Sequence, residues 1–279
     1  MASLRIISLF AALASFSCTG PLGALAPVKG ADAADVVYTP PGRPAPMAGD
    51  IYRPQTAGPH PAVLMIHGDG RIGDDGRWQM AGIARQLARN GYLVLNITYR
   101  MAPEWTYPAP LDDVLAALDW MEENAAEQGI DPGRIAVFGY SAGGYAGSLA
   151  ALTDRGKRVK AVVAGGAPSD LTYYSEGELI RNFLGGTLEE VPERFHEASP
   201  VNHVTPSSPP YFLYHGEDDT LVNPGHLREM EAELKAKRVP HEIFWIRGKG
   251  HIRSFLFPDG AIEAAIRFLD RHVKGETGG

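Results

Sequence analysis

From Pro61 onward, short apolar runs rich in β-formers alternate with longer segments whose apolar residues recur every three or four positions. "PAVLMIHG", "YLVLNITYR", "DPGRIAVFGY", "VKAVVAGGA", "PYFLYHG" and "HEIFWIRG" read as strands. Between and after them, "WQMAGIARQLARN", "LDDVLAALDWMEENAAEQG", "AGGYAGSLAAL", "GHLREMEAELKAKR" and "AIEAAIRFLDRHV" read as helices. In the second of these Leu111, Val114, Leu115, Leu118 and Met121 share one face, and Asp112 and Asp113 lie in the first turn, where carboxylates suit the helix dipole. In the last, Ile262, Ala265, Ile266 and Leu269 keep the same register. Apolar strands alternating with helices predict an α/β fold, a doubly wound and mostly parallel sheet covered on both faces. Sites in such sheets form at the carboxyl ends of the strands.

The flanks read differently. "DVVYTP" and "GDIYRP" predict edge strands added before the doubly wound part. The stretch from Ser169 to Ser207 has weak periodicity and several aromatics, and reads as a small insertion over one end of the sheet. "MASLR" followed by "IISLFAALASF" and small residues is a secretory leader pattern, too short to span a membrane. The expected organisation is a leader over residues 1–33, cleaved after "ADA", and a single domain over 34–279, exported to the periplasm or beyond. Cys18, the one cysteine of the chain, stands where a lipid-modified cysteine would, although "SFS" before it matches the lipoprotein box poorly. A chain starting at Ala34 has no cysteine and therefore no disulfide.

With 279 residues the chain is long enough for a full core, and its net charge of −7 without a basic stripe argues against nucleic acid or an anionic membrane as partner. No Walker motif and no H-E-x-x-H pair is present, so neither a cofactor nor a metal is expected. The stretch "HGDGRIG" does match G-x-G-x-x-G through Gly68, Gly70 and Gly73. A dinucleotide site would want an acid at the end of the next strand, and that strand ends "NITYR".

The chemistry centres on "VFGYSAGG". Ser141 stands between Gly139 and Gly143, where strand turns to helix, the pattern of a nucleophile elbow. The serine there takes a strained backbone conformation, so the residues two positions either side must lack side chains. A nucleophilic serine needs an imidazole base and a carboxylate to orient that base. "YFLYHGEDDTLV" supplies acids after one strand, and "GKGH" supplies His251 in a glycine-rich loop after the next. The order serine, acid, histidine is the one this topology imposes. His203, His226 and His241 read as solvated loop histidines. His67-Gly68-Asp69-Gly70 ends an earlier strand with bare backbone N–H groups suited to an oxyanion hole.

"HGDG", "YRMAPEWTYPAPLDD", "DPGRIAVFGYSAGG", "HGEDDTLV" and "GKGH", in that order between Pro61 and Val273, resemble the α/β-hydrolase superfamily. Specifically, they resemble the branch of hormone-sensitive-lipase-like carboxylesterases and related acetyl-esterase and feruloyl-esterase-like proteins. The resemblance implies Ser141 as nucleophile, His251 as base and Asp219 as the acid, the last because Val222 stands three residues on as the family pattern requires. It also implies oxyanion donors from the backbone of Asp69, Gly70 and Ala142. The implied activity is hydrolysis of small-molecule carboxylic esters with short acyl chains. A peptidase or amide hydrolase on the same fold, and an inactive hydrolase fold used for binding, are the alternatives; oligomeric state is open. Three positions depart from the family pattern: Asp69 where glycine is usual, Arg71 where an aromatic is usual, and Tyr140 where an acid often precedes the serine. Asp69 is expected to offer only its N–H, with its carboxylate turned towards Arg71 or Arg77.

Overall fold

The computed structural model describes residues 30–68, 76–174 and 177–275. Cys18 and nearly all of the leader-like start, together with Asp69, Gly70 and Arg71, lie outside the described residues. Strands β1 (Ala33–Val37), β2 (Ala48–Tyr52), β3 (His60–Ile66), β4 (Leu93–Ile97), β5 (Ile130–Tyr140), β6 (Val159–Gly165), β7 (Tyr211–Gly216) and β8 (His241–Ile246) form one sheet in the order β1-β2-β4-β3-β5-β6-β7-β8. β1, β2 and β4 pair antiparallel, and every pairing from β4 through β8 is parallel. The doubly wound, mostly parallel sheet read from the sequence is therefore present, with its two antiparallel strands at one edge.

Helices α1 (Arg77–Arg89), α2 (Ala109–Glu123), α3 (Ala125–Gln128), α4 (Ala142–Ala151), α5 (Glu178–Leu184), α6 (Pro192–Glu197), α7 (Gly225–Ala236), α8 (His251–Leu256) and α9 (Ala261–Leu269) cover the sheet. Each parallel strand feeds both faces. Leu64, Ile66, Leu95 and Val137 pack with Val114, Leu118 and Met121 of α2 and Leu149 of α4, whereas Val63, Met65, Val94 and Phe138 pack with Met80 and Leu87 of α1 and Ile262 and Phe268 of α9. Covering both faces removes the polar side of the strand, which is why these runs are apolar throughout. Each such side chain fully withdrawn from water contributes about 1.5–3 kcal/mol.

Three local differences from the sequence reading have physical causes. The helix expected to run from 111 to 129 breaks at Asn124, whose side-chain amide bonds the Trp120 carbonyl. Asp113 does more than complement a dipole. It is buried and takes a two-pronged pair from Arg100, Nε to Oδ2 at 2.8 Å and Nη2 to Oδ1 at 2.7 Å, so removing either partner would strand a buried charge. The sheet also begins within the stretch assigned to the leader. Ala33 opens β1, and Asp32 accepts hydrogen bonds from the Arg53 N–H at 2.8 Å and from Arg85 at 3.1 Å.

The insertion between β6 and β7 consists of short turns and the two small helices α5 and α6. It is tied to the loop before α2 by Tyr107 N–H donating to the Phe183 carbonyl at 2.8 Å. The rings of Tyr107 and Tyr145 meet Phe183 edge-on, with centroids 6.1 and 6.2 Å away.

Candidate active site

β5 ends at Tyr140 and the next residue, Ser141, turns the chain into α4 with φ 54° and ψ −124°. Positive φ outside the left-handed helical well costs a side-chain-bearing residue about 1–3 kcal/mol, so the surroundings must over-determine it. They do so by sterics and by two bonds. A Cβ on Gly143 would lie 2.2 Å from the Ile66 carbonyl oxygen, and one on Gly139 would lie 2.4 Å from the Gly143 carbonyl. Only bare backbone fits at either place. Ser141 N–H donates to Gly165 O at 2.8 Å, and its carbonyl accepts from Tyr145 N–H at 3.0 Å. The turn leaves the serine half-buried at the carboxyl end of the sheet, at the N-terminus of α4.

His251 comes to this serine from beyond β8, the edge strand three places from β5 in the sheet. It opens α8, a short helix where the sequence suggested only a glycine-rich loop, and its ring is largely buried. Its Nδ1 lies 2.6 Å from Asp219 Oδ2, and its Nε2 lies 2.9 Å from Ser141 Oγ. A carboxylate can only accept, so Nδ1 carries the proton and Nε2 presents a lone pair to the serine hydroxyl. Asp218, the other carboxylate of the pair, is exposed, and its N–H donates to Lys249 O at 3.1 Å.

The Asp219 carboxylate is fully engaged. Oδ1 accepts from the Leu221 and Val222 N–H groups, each at 2.9 Å, while Oδ2 receives His251 and, at 3.2 Å, His215 Nε2. Burial works to raise this carboxyl, but the hydrogen bonds from His215 and His251 outweigh it and hold it well below the usual carboxylate range. Tyr140 supports the histidine from beneath. Its hydroxyl donates to the His251 carbonyl at 2.7 Å, and its ring lies 5.1 Å from the imidazole and 4.9 Å from Phe255. Burial, with Tyr214 and Asp219 nearby, pushes this phenol far above its ordinary range, so it stays a donor. An acid in its place would face the His251 carbonyl with no proton to give.

Of the residues singled out from the sequence, the structure brings together Ser141, His251 and Asp219, with Ala142 adjoining them as the first residue of α4. The N–H of a first helical residue has no acceptor within its helix and sits at the positive end of the dipole. Gly68 runs against the serine, its Cβ position 3.3 Å from Ser141 Cβ, but Asp69 and Gly70 lie outside the described residues. Arg77 pairs with Asp50 and Asp35, both at 2.6 Å, and the expected turn of the Asp69 carboxylate towards Arg71 or Arg77 falls outside the described residues. His226 is not a solvated loop residue. It is completely buried on α7, with Nδ1 accepting the N–H groups of Ser169 and Asp170 at 3.3 and 3.4 Å. Burial, with His215 adding, pushes its imidazole down to about 4. Sequence reasoning missed what His215 and Tyr140 do, although both lie inside quoted motifs: His215 opens "HGEDDTLV" and Tyr140 stands in "FGYSAGG".

Esterase LipC of Mycobacterium tuberculosis is 30% identical to this chain over 234 residues, which cover 76% of this chain and 58% of LipC. The chain spans about half the length of the curated relatives it matches. Among solved structures, a truncated carbohydrate esterase from gut microbiota superposes with a TM-score of 0.77 at 22% identity, covering 87% of this chain and 96% of that one. A thermophilic esterase from Thermogutta terrifontis gives 0.72 at 21% identity, covering 88% and 93%. The fold is thus that of the α/β-hydrolases, and with residues 49–234 matching the family pattern the chain belongs to the BD-FAE family.

Proposed function

We propose that this protein is a serine hydrolase that cleaves carboxylic esters through an acyl-enzyme on Ser141. The observation that carries the reading is the unbroken relay from Asp219 Oδ2 through His251 to Ser141 Oγ, with contacts of 2.6 and 2.9 Å. His251 Nε2 takes the serine proton as Oγ attacks the ester carbonyl, then returns it to the leaving alkoxide. Asp219 stays ionised, fixing the tautomer and stabilising the transient imidazolium. The Ala142 N–H, joined by the backbone of Asp69 and Gly70, receives the developing oxyanion. In the second half of the cycle, water attacks the acyl-enzyme with His251 again as base.

A preference for short acyl chains fits the small insertion. Phe183 from α5 meets Tyr145 edge-on, one helical turn beyond the nucleophile. The leader pattern supports an exported location. The test is hydrolysis of a soluble ester series from acetyl to long-chain acyl, with matched anilides, alongside fluorophosphonate labelling read by peptide mass spectrometry. Labelling at Ser141 and faster turnover of acetyl to hexanoyl esters than of long-chain esters or anilides are expected. No labelling, or a preference for anilides, would overturn the reading.

A further inference from the structure

We propose that His215 is a positioning residue for the Asp219–His251 pair, an inference that rests on the reading of Ser141, His251 and Asp219 as the reacting unit. His215 is a buried residue of β7, and its Nε2 lies 2.9 Å from Val222 O and 3.2 Å from Asp219 Oδ2. Both are acceptors, so Nε2 must carry the proton and share it between them. The imidazole therefore spans the ends of the turn 219–222 and donates to the same carboxylate oxygen that receives His251.

This placement has two consequences. Oδ1 is already held by the Leu221 and Val222 N–H groups, so the His215 donor is what fixes Oδ2 against rotation away from His251. A hydrogen-bond donor on Oδ2 also moderates the pull of the carboxylate on the His251 proton, which keeps that proton on Nδ1. The other titratable groups facing Asp219 are Tyr140 from β5, Tyr174 from the turn Leu171–Tyr174 and His226 from α7. Burial raises both phenols and lowers His226 to about 4, so all three are neutral near pH 7, and none donates to Oδ2: the Tyr140 hydroxyl bonds the His251 carbonyl, while the Tyr174 hydroxyl and His226 Nε2 make no hydrogen bond.

The variants that separate the possibilities are His215→Gln, whose amide nitrogen reaches the position of Nε2, His215→Asn, which falls one bond short, and His215→Leu, which has no donor. His215→Leu and His215→Asn should lower kcat on a soluble acetate ester about tenfold to a hundredfold with KM nearly unchanged. His215→Gln should stay within about threefold of wild type. With the competing donor gone from Oδ2, the acid limb of the kcat/KM profile should move upward by about half a pH unit in His215→Leu. A residue that merely held the turn would lower Tm and leave that limb in place. An unmoved acid limb, or a glutamine variant as slow as the leucine one, overturns the proposal. If His215→Leu does not fold, the Gln and Asn variants decide between the same outcomes. The ¹⁵N titration midpoint of the His251 imidazole, followed by NMR without substrate, reads the same displacement. A protein that hydrolyses no ester yet shows this displacement therefore refutes the esterase reading and keeps the positioning role.

Discussion

The turns after β5 and β7 each hold one side chain of the proposed relay at the carboxyl end of the sheet, by opposite means. After β5, Ser141 is held by exclusion: bare backbone at Gly139 and Gly143 lets strand and helix close to distances no side chain would allow. After β7, Asp219 is held by attraction, through two backbone N–H groups, His251 and His215. Steric closure writes itself into the sequence as glycines at fixed spacing. A hydrogen-bonded turn does not, because backbone donors exist at every residue and only the carboxylate and the imidazoles are special.

The contrast is sharpest in the carboxylates. Asp219→Asn should lower kcat on a soluble ester by about 10⁴-fold, because the amide can donate and would favour the wrong tautomer of His251. Asp218→Asn should stay within about threefold, since that side chain is exposed. Steady-state kinetics on the two variants would break the comparison if their order were reversed.

A smaller effect separates the two turns by stability. Gly143→Ala places a methyl against backbone oxygens of β3 and the residue after it, which cannot move aside, and should destabilise by about 3 kcal/mol or more. Leu221→Ala, in the hydrogen-bonded turn, removes a side chain that is 46% exposed and keeps the N–H to Asp219, so it should change stability by about 0.5 kcal/mol or less. Urea unfolding followed by circular dichroism measures both. Equal losses would mean that side-chain packing, not backbone donors, holds the second turn.

The least effect concerns pH. His226 is neutral in the fold, its imidazole pushed down to about 4 from an ordinary value of 6.5, so the unfolded chain binds the proton first. Its contribution to stability is complete above about 6.5 and is lost as pH falls towards 4, at up to about 1.4 kcal/mol per pH unit. Asp219, held below the usual carboxylate range, keeps its charge in the fold, so its own loss of stability begins only below about pH 5, where the unfolded carboxyl takes up protons. His226→Asn keeps an acceptor for the Ser169 and Asp170 N–H groups and removes the titration, so stability should fall less steeply between pH 6.5 and 4.5. Identical slopes for wild type and variant would show that His226 does not titrate there.

The parallel sheet was readable because burial on both faces demands continuous apolar strands, and the edge strands β1 and β2 because turn residues bracket them. Ser141 was readable because Gly139 and Gly143 are obligatory, and the choice of Asp219 over Asp218 came from the family resemblance, whose pattern sets a valine three residues on, at Val222. The short helix α8 escaped notice because six residues, "HIRSFL", are too few for a helical period to show. His215 and Tyr140 stood inside the quoted motifs, but what they and His226 bond to was not readable. Their roles depend on which neighbour lies within hydrogen-bonding distance, and residue type carries no record of that.

The most direct test is kcat on one soluble acetate ester for Ser141→Ala, His251→Ala and the double variant. Residues that act as one unit are not additive, so each single change should lower kcat by about 10⁴-fold or more and the double should fall no further. A double variant that loses the product of the two single effects, or a single variant that turns over near the wild-type rate, would contradict a relay running from Asp219 through His251 to Ser141.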